Sequence, residues 1–141
     1  MRPRGIPILL DSNFLLIPPE EGVDIFAELE RLLGLPRCLL PTPVLEELKR
    51  LREGAAPSEA RKIDLALRLA DRCELLEAEL REGEGVDSLL LRLAKDMRCP
   101  VATNDGELRR RLRREGIPVI YLRQRSHLEL EGGKPDWRLS R

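Results

Sequence analysis

Two short apolar runs of this chain each end at an acidic residue with small polar neighbours, and this recurrence restricts the folds that the chain can adopt. Ile6–Leu10 leads into Asp-Ser-Asn at 11–13, and the apolar pair at 101–102 leads into Thr-Asn-Asp at 103–105. Segments between such runs carry apolar residues at helical spacing. Strands alternating with helices form a parallel sheet covered on both faces, which binds ligands beyond the carboxyl ends of its strands. We therefore expect both acids at one site.

The same periodicity predicts the order of elements along the chain. The strand candidates are 6–10, 37–40, 73–76, the run that begins at Val101, and 118–122, with 73–76 equally compatible with a helix extending to 82. The helix candidates are 20–33, 43–52, 59–70, 86–98 and 106–115, with Thr42 as the expected N-cap of the second. We expect one α/β domain over residues 1–122, followed by a basic, irregular tail over 123–141.

Composition excludes several kinds of protein and of site. Three widely separated cysteines (Cys38, Cys73 and Cys99) predict buried thiols rather than a disulfide framework or a Cys-x-x-Cys metal site. The single histidine, His127, argues against a zinc centre and against a histidine-based triad. No apolar run approaches the roughly 20 residues that span a bilayer, and the start is too short for a secretory signal. We expect a cytoplasmic protein without membrane association.

Net charge is zero, but the charges are divided unevenly along the chain. Residues 1–106 contain 15 basic and 20 acidic residues, whereas residues 107–141 contain 10 and 5. Acidic residues hold cations and basic residues attract the nucleic-acid backbone, so this division is typical of a site for a metal and a phosphate. The arginines predicted to contact a nucleic-acid backbone are Arg109, Arg110, Arg113, Arg123 and Arg125. A solvated helix face is the alternative interpretation of 109–114.

Four acidic positions are expected at the same edge of the sheet. Asp11 and Asp105 follow strands, Glu46 or Glu47 lies on the helix after the second strand, and Asp87 lies in a first helical turn. Clustered carboxylates repel one another unless a cation neutralises them, and Mg²⁺ or Mn²⁺ prefers such oxygen ligands. Turn and helix-cap roles remain the alternative for both aspartates.

Four segments containing these acids resemble, in order, the acidic motifs of PIN-domain nucleases. They are Leu10–Leu15, Val44–Leu51, Val86–Leu90 and Val101–Leu108. The resemblance implies a three-layer α/β/α sandwich with a central parallel sheet of order 3-2-1-4-5, and cleavage of single-stranded RNA that depends on Mg²⁺ or Mn²⁺. It also implies two groups of site residues. The catalytic metal ligands would be Asp11, Glu47, Asp87 and Asp105, and the residues that orient them would be Ser12, Asn13, Thr103 and Asn104. Glu47 is preferred to Glu46 because the family glutamate precedes an apolar residue, here Leu48.

Within the family, the motifs look most like the branch that cleaves precursor ribosomal RNA in the small-subunit processome. That branch often has two adjacent acids where this chain has Val86 and Asp87. Toxin ribonucleases of toxin–antitoxin pairs are the alternative, although they tend to have a glycine soon after the helix glutamate, and 50–52 contains none. A non-catalytic RNA-binding or assembly scaffold is the other alternative. The implied partners are RNA, a second copy of the chain, and a ribosome-assembly factor or an antitoxin.

Overall fold

A computed structural model describes residues 5–132 of the chain as six strands and seven helices. The strands are β1 (Ile6–Leu10), β2 (Pro36–Pro41), β3 (Glu74–Leu76), β4 (Val101–Ala102), β5 (Val119–Arg123) and β6 (His127–Glu131). The helices are α1 (Ser12–Leu15), α2 (Ile17–Glu21), α3 (Ile25–Leu33), α4 (Thr42–Glu53), α5 (Pro57–Ala70), α6 (Val86–Met97) and α7 (Gly106–Arg114). None of these helices is long and apolar enough to cross a membrane.

The sheet has the order β3-β2-β1-β4-β5-β6. Strands β1 to β5 are parallel to their neighbours and β6 is antiparallel to β5. The predicted α/β fold and the predicted order 3-2-1-4-5 are confirmed, with one strand added at the β5 side. Leu10 of β1 is paired with Ala102 of β4, so the residues that follow these two strands emerge side by side.

The hydrophobic core surrounds the central strand β1. Every residue of β1 is buried, as expected for a parallel strand covered by helices on both faces. Helix α4 contributes Val44 and Leu48 to this core, and α7 contributes Leu108 and Leu112. Helix α4 begins directly after β2, and α7 follows β4 after three intervening residues, so the first turns of both helices lie at the carboxyl edge of the sheet.

Strand β6 lies in the segment predicted to be an irregular tail, and the prediction is wrong for residues 127–131. Gln124 and Arg125, with φ of 53° and 57°, form a tight turn that reverses the chain after β5. The alternation of Leu128 and Leu130 with polar residues is the period-two pattern of a strand with one buried face. Its short length and the basic residues before it masked that signal. The remainder of the predicted tail, residues 133–141 with Trp137, lies outside the described residues.

The outer edge of β6 is bound by side chains of α3. The backbone N–H of Leu128 donates to Oε1 of Glu28 at 2.9 Å. The guanidinium of Arg31 donates to the carbonyl oxygen of Leu128 at 2.8 Å. Glu28 and Arg31 are themselves joined at 3.0 Å, so one ion pair satisfies both backbone groups of an edge-strand residue.

Two local predictions are corrected by the structure. The predicted helix 20–33 is two helices, α2 and α3, and α2 begins earlier because Pro18 and Pro19 occupy its first turn, where a missing N–H is tolerated. Thr42 does not cap α4, whose N-cap position is Pro41. The Thr42 hydroxyl instead donates to the carbonyl oxygen of Ala78 at 2.9 Å and accepts from its N–H at 3.1 Å, which prolongs the contact between the β2 and β3 segments.

Candidate metal and nucleic-acid site

Asp11 is the buried acid at the centre of the carboxyl edge of the sheet. It follows β1, and its side chain has 3% of its surface exposed. Oδ1 accepts the N–H of Ser12 at 2.8 Å, while Oδ2 accepts the hydroxyl of Thr103 at 2.8 Å and the side-chain amide of Asn13 at 3.2 Å. Within residues 5–132, no lysine or arginine forms an ion pair with Asp11. The hydrogen-bond donors that hold the Asp11 carboxylate are therefore all neutral within this part of the chain.

The pKa of Asp11 reports this environment. Burial raises the pKa of the carboxyl group from 3.8 to about 6, against the hydrogen bonds from Thr103 and Ser12, which lower it. The negative charges of Asp87 and Glu47 raise it further. A carboxylate that is buried beside other carboxylates gains stability from a cation in contact with it.

Glu47 reaches this site from the second turn of α4. Its Oε1 accepts a 2.6 Å hydrogen bond from the hydroxyl of Ser12. Glu46 is exposed, whereas Glu47 is half-buried. Consecutive helical residues point about 100° apart, so only one of the two glutamates can face Asp11 while Leu48 packs in the core. The structure thus places Glu47, and not Glu46, beside Asp11.

Asp87 lies in the first turn of α6 and approaches the same edge from the side of α7. Burial raises its pKa, and the charge of Asp105 raises it further, whereas the Arg111 guanidinium opposes these effects. Arg111 also donates to the hydroxyl of Ser88 at 3.2 Å. Arg111 was not among the predicted RNA-contacting arginines. The helical periodicity could have indicated a different environment for Arg111, because it lies two residues from Arg109 and faces nearly the opposite way.

Asp105 combines a structural role with its place at the edge. Its Oδ1 accepts the N–H groups of Glu107 at 2.8 Å and Leu108 at 3.3 Å, so it is the N-cap of α7. Within the described chain, Oδ2 of Asp105 accepts no hydrogen bond. The N–H of Asp105 donates in turn to the hydroxyl of Thr103 at 3.1 Å, which links it to the Asp11 network.

Asn13 joins the two strand ends. Its Oδ1 accepts the N–H of Asn104 at 2.8 Å, and its amide group donates to Asp11. Of the four residues predicted to orient the acids, Ser12, Asn13 and Thr103 contact a carboxylate directly through their side chains. Asn104 is exposed and contributes its backbone N–H.

The donors at this edge suit a magnesium or manganese ion in their chemistry. All four side chains offer carboxylate oxygens, and those oxygens are the ligands that hard divalent cations prefer. Among residues 5–132, however, no group of three or more acidic, histidine or cysteine side chains is already drawn together as a metal site. The four acids nevertheless act on one another, because the charges of Asp87 and Glu47 raise the pKa of Asp11, and those of Asp105 and Glu47 raise the pKa of Asp87. Water molecules and a substrate phosphate can supply the remaining ligands of such an ion.

Three of the five predicted arginines, Arg109, Arg110 and Arg113, lie on a second surface that begins at the N-terminus of α7. Arg109 donates to Glu131 at 2.6 Å and stacks on the ring of Tyr121 at 3.5 Å, and Arg113 lies 3.6 Å from Glu131. Arg110 is exposed and lies beside Gly106, where a Cβ atom would come within 3.4 Å of its guanidinium. The cleft so formed has a volume of about 430 Å³ and is lined by Gly106, Arg109, Arg110, Arg113, Arg114 and Glu131. We call it the arginine cleft.

Arg123 and Arg125 are separate from the arginine cleft. Arg123 pairs with Glu129 at 3.0 Å across the β5–β6 hairpin. Arg125, at the turn of this hairpin, is almost fully exposed and lies 3.9 Å from Glu21. The five predicted arginines are therefore divided between two surfaces.

Comparison with known proteins identifies the family. Residues 8–125 match the model of the PIN like domain family. The chain belongs to this family. The family resemblance seen in the acidic motifs is confirmed, and the matched residues include all four predicted acids.

Curated relatives and a solved structure extend this assignment. The chain is 32% identical to ribonuclease VapC9 of Archaeoglobus fulgidus over 123 residues, which cover 87% of each protein. It is 28% identical to ribonuclease VapC4 of Methanocaldococcus jannaschii over 126 residues, which cover 89% of this PIN protein and 96% of the relative. The structure of the PIN domain endonuclease Utp24 superposes with a TM-score of 0.74 at 25% identity, covering 92% of this chain and 93% of that one. These three proteins similar to this PIN protein are thus two ribonucleases and an endonuclease.

Proposed function

We propose that this PIN protein is an endoribonuclease that cleaves single-stranded RNA with the help of Mg²⁺ or Mn²⁺. The observation that carries the proposal is the buried carboxylate of Asp11, which has neutral hydrogen-bond donors and two carboxylates around it and, among residues 5–132, no cationic side chain paired with it. Such a group is costly to the folded protein unless a cation binds there. The ribonuclease relatives support the same reaction class.

The proposed roles follow from the contacts of each side chain. Asp11, Glu47, Asp87 and Asp105 are the proposed ligands of the ion. Ser12 fixes the orientation of Glu47, and Thr103 fixes that of Asp11. A bound divalent ion supplies charge neutralisation at the phosphate and a water molecule of lowered pKa. The proposed role of the protein's own residues is to hold four carboxylates in fixed directions around the phosphate.

The arginine cleft is the proposed path of the RNA backbone away from the acids. It begins at Gly106, which directly follows Asp105, and continues along α7. Arg110 and Arg114 are exposed and can meet phosphates directly. Arg109 and Arg113 are held by Glu131, so a phosphate must compete with this carboxylate for them. Arg123 and Arg125 are proposed as outlying contacts on the hairpin side.

The reaction is tested by cleavage of a fluorescently labelled single-stranded RNA with and without Mg²⁺ or Mn²⁺. We expect cleavage that EDTA abolishes and that Asp11→Asn or Glu47→Gln lowers by at least about 100-fold. Glu46→Gln is the matched control, because it changes a neighbouring exposed glutamate, and it should cleave like the wild type. Equal activity of Asp11→Asn and the wild type would overturn the proposal. Complete inactivity of the folded wild-type protein on all RNAs would favour the non-catalytic scaffold.

Processing of precursor ribosomal RNA is the proposed biological task. It is supported by the resemblance of the motifs around Asp11 and Asp105 to that branch of the family. The overall superposition on Utp24 agrees with a PIN endonuclease of this shape. The expected partners are then a precursor rRNA and a ribosome-assembly factor, and depletion of the protein should lead to accumulation of unprocessed rRNA.

A toxin ribonuclease is the second candidate, and the two VapC relatives favour it. In that case the protein should arrest growth when it is expressed alone, and an antitoxin encoded beside it should relieve the arrest. Self-association is a further proposal for either task, tested by the molar mass of the protein in solution. Normal growth on expression of an active enzyme would exclude the toxin.

A further inference from the structure

Cys38 and Cys73 are close to one another in the structure, although 34 residues of sequence separate them. Cys38 belongs to β2, and Cys73 directly precedes the parallel strand β3. Leu39 of β2 is paired with Glu74 of β3. Cys38 and Cys73 each directly precede a member of that pair, so the two residues lie side by side where the pairing of β2 with β3 begins.

The two thiols also interact with one another. This interaction lowers the pKa of the Cys38 thiol and raises that of Cys73, and the positive charge of Arg72 further favours the thiolate of Cys38. Thiolates, and not thiols, attack oxidants and other sulfur atoms. Cys38 is thus the thiol that attacks the oxidant, and Cys73 is the thiol that then attacks the oxidised sulfur of Cys38.

The third cysteine provides an internal comparison. Cys99 is buried with 2% of its surface exposed, and burial raises its pKa to about 12. Cys73 is half-buried and gives small molecules access to the pair, whereas Cys38 lies beneath the surface with 9% exposed. A small oxidant should therefore distinguish the pair from Cys99.

We propose that Cys38 and Cys73 form an intramolecular disulfide when the protein meets a peroxide. The Cys38 thiolate attacks one oxygen of hydrogen peroxide, the O–O bond breaks, and Cys38 becomes a sulfenic acid while hydroxide leaves. The hydroxide takes the proton of Cys73 to form water. The Cys73 sulfur then attacks the Cys38 sulfur and displaces a second hydroxide, which is protonated to water. The two thiols are oxidised by two electrons in total, and one peroxide is reduced to two waters.

The bridge would close a loop that contains α4 and α5. Because Glu47 lies on α4, the segment that delivers this acid to the sheet edge would be anchored covalently at both ends. A bridge across a loop of this length restricts the unfolded chain and raises the melting temperature. The bridge itself does not depend on nuclease activity, so it can be tested on a protein without substrate or metal.

The test is titration of the full chain with hydrogen peroxide, followed by intact mass measurement and alkylation of thiols in denaturant. We expect a mass loss of about 2 Da, corresponding to two hydrogens, and a fall from three alkylated thiols to one. The melting temperature should rise by about 5 °C or more and return on addition of dithiothreitol. Cys99→Ala should behave like the wild type, while Cys38→Ser and Cys73→Ala should lose the mass change.

Cys73→Ala keeps the proposal testable if Cys38→Ser is unstable, because Cys73 is half-buried and directly precedes β3. Three alkylated thiols after treatment would overturn the proposal. So would a disulfide between two chains, or a mass gain at Cys38 from sulfinic acid without a bridge. A bridge that leaves the melting temperature unchanged would overturn the proposed stabilisation.

Discussion

The hydroxyl of Ser12 donates a 2.6 Å hydrogen bond to Oε1 of Glu47 and thereby connects the end of β1 to the second turn of α4. Ser12 is buried and is also the residue whose N–H binds Asp11. One residue thus positions two of the proposed ligands. Orienting residues of this kind contribute to metal affinity without touching the ion.

Ser12→Ala should weaken metal binding and cleavage by roughly 10- to 100-fold, because Glu47 loses the donor that holds its direction. The apparent affinity for Mn²⁺, measured from the metal dependence of cleavage, should fall, and saturating Mn²⁺ should restore much of the rate. Ser58→Ala, at an exposed position of α5, is the matched control and should leave the metal dependence unchanged. An unchanged metal dependence in Ser12→Ala would show that Ser12 does not orient Glu47 for metal binding.

The metal-free protein should lose stability as the pH rises through the pKa of Asp11. Burial raises the pKa of this carboxyl group to about 6 in the folded protein. A carboxyl group whose pKa is raised by folding stabilises the fold below its unfolded pKa of about 4, and this contribution is lost as pH rises through about 6. The loss amounts to at most about 3 kcal/mol. Denaturant unfolding in EDTA at pH 4 and at pH 8 measures it.

Asp11→Asn should be more stable than the wild type in EDTA at pH 8, although it is expected to be inactive. The amide carries no charge and so escapes the cost of ionisation in the buried site. At pH 4, where the wild-type carboxyl group is largely protonated, the two proteins should unfold at similar denaturant concentrations. A variant that is less stable than the wild type at pH 8 would contradict this account of Asp11.

Glu131→Gln should tighten RNA binding, because it releases Arg109 and Arg113 from their carboxylate partner. Arg110→Ala should weaken binding and make its salt dependence shallower by about one phosphate contact. Both effects are measured by fluorescence anisotropy with labelled RNA over a range of salt concentrations. Glu74→Gln, which releases Arg37 from its carboxylate partner beside β3 and away from the proposed RNA path, is the control for Glu131→Gln. Equal affinities for Glu131→Gln and the wild type would place the RNA elsewhere.

Arg98→Gly should stabilise the protein by about 1 kcal/mol. Arg98 ends α6 with φ of 54°, a left-handed conformation that costs most side chains roughly this amount and that glycine adopts freely. Lys95→Gly, inside the same helix, should instead destabilise by about 1 kcal/mol. Thermal unfolding of both variants distinguishes the conformation of residue 98 from a general effect of glycine in α6.

The strands and helices that form the site were predictable because their signals are local. Apolar runs that end in acids placed Asp11 and Asp105 at the edge of the sheet, and parallel pairing of β1 with β4 brought them together. The choice of Glu47 over Glu46 came from the family resemblance, in which the glutamate precedes an apolar residue. The structure adds a physical reason, because Leu48 packs in the core and fixes which way α4 faces. The cap that Asp105 forms on α7 had been weighed as an alternative to an acid at the site, and the structure places the residue in both positions.

Long-range partners were not predictable in the same way. Nothing in the arginine run of α7 indicates that Glu131 neutralises Arg109 and Arg113, because β6 brings Glu131 there from beyond the predicted domain boundary. Arg111 was missed because charge counting ignores which face of a helix a residue occupies. The Cys38–Cys73 pair was also hidden, since its proximity depends on the register of β2 with β3.

The ion pair of Glu28 and Arg31 has a consequence for the behaviour of this protein among other chains. By occupying the N–H and C=O groups of Leu128, these side chains deny a hydrogen-bonding template to any foreign strand that approaches β6. At the opposite side of the sheet, β3 is only three residues long. At the β6 edge, the occupied backbone groups of Leu128 hinder the addition of a strand from another chain. At the β3 edge, the short length of the strand has the same effect. Both features oppose aggregation of a Leu-rich chain.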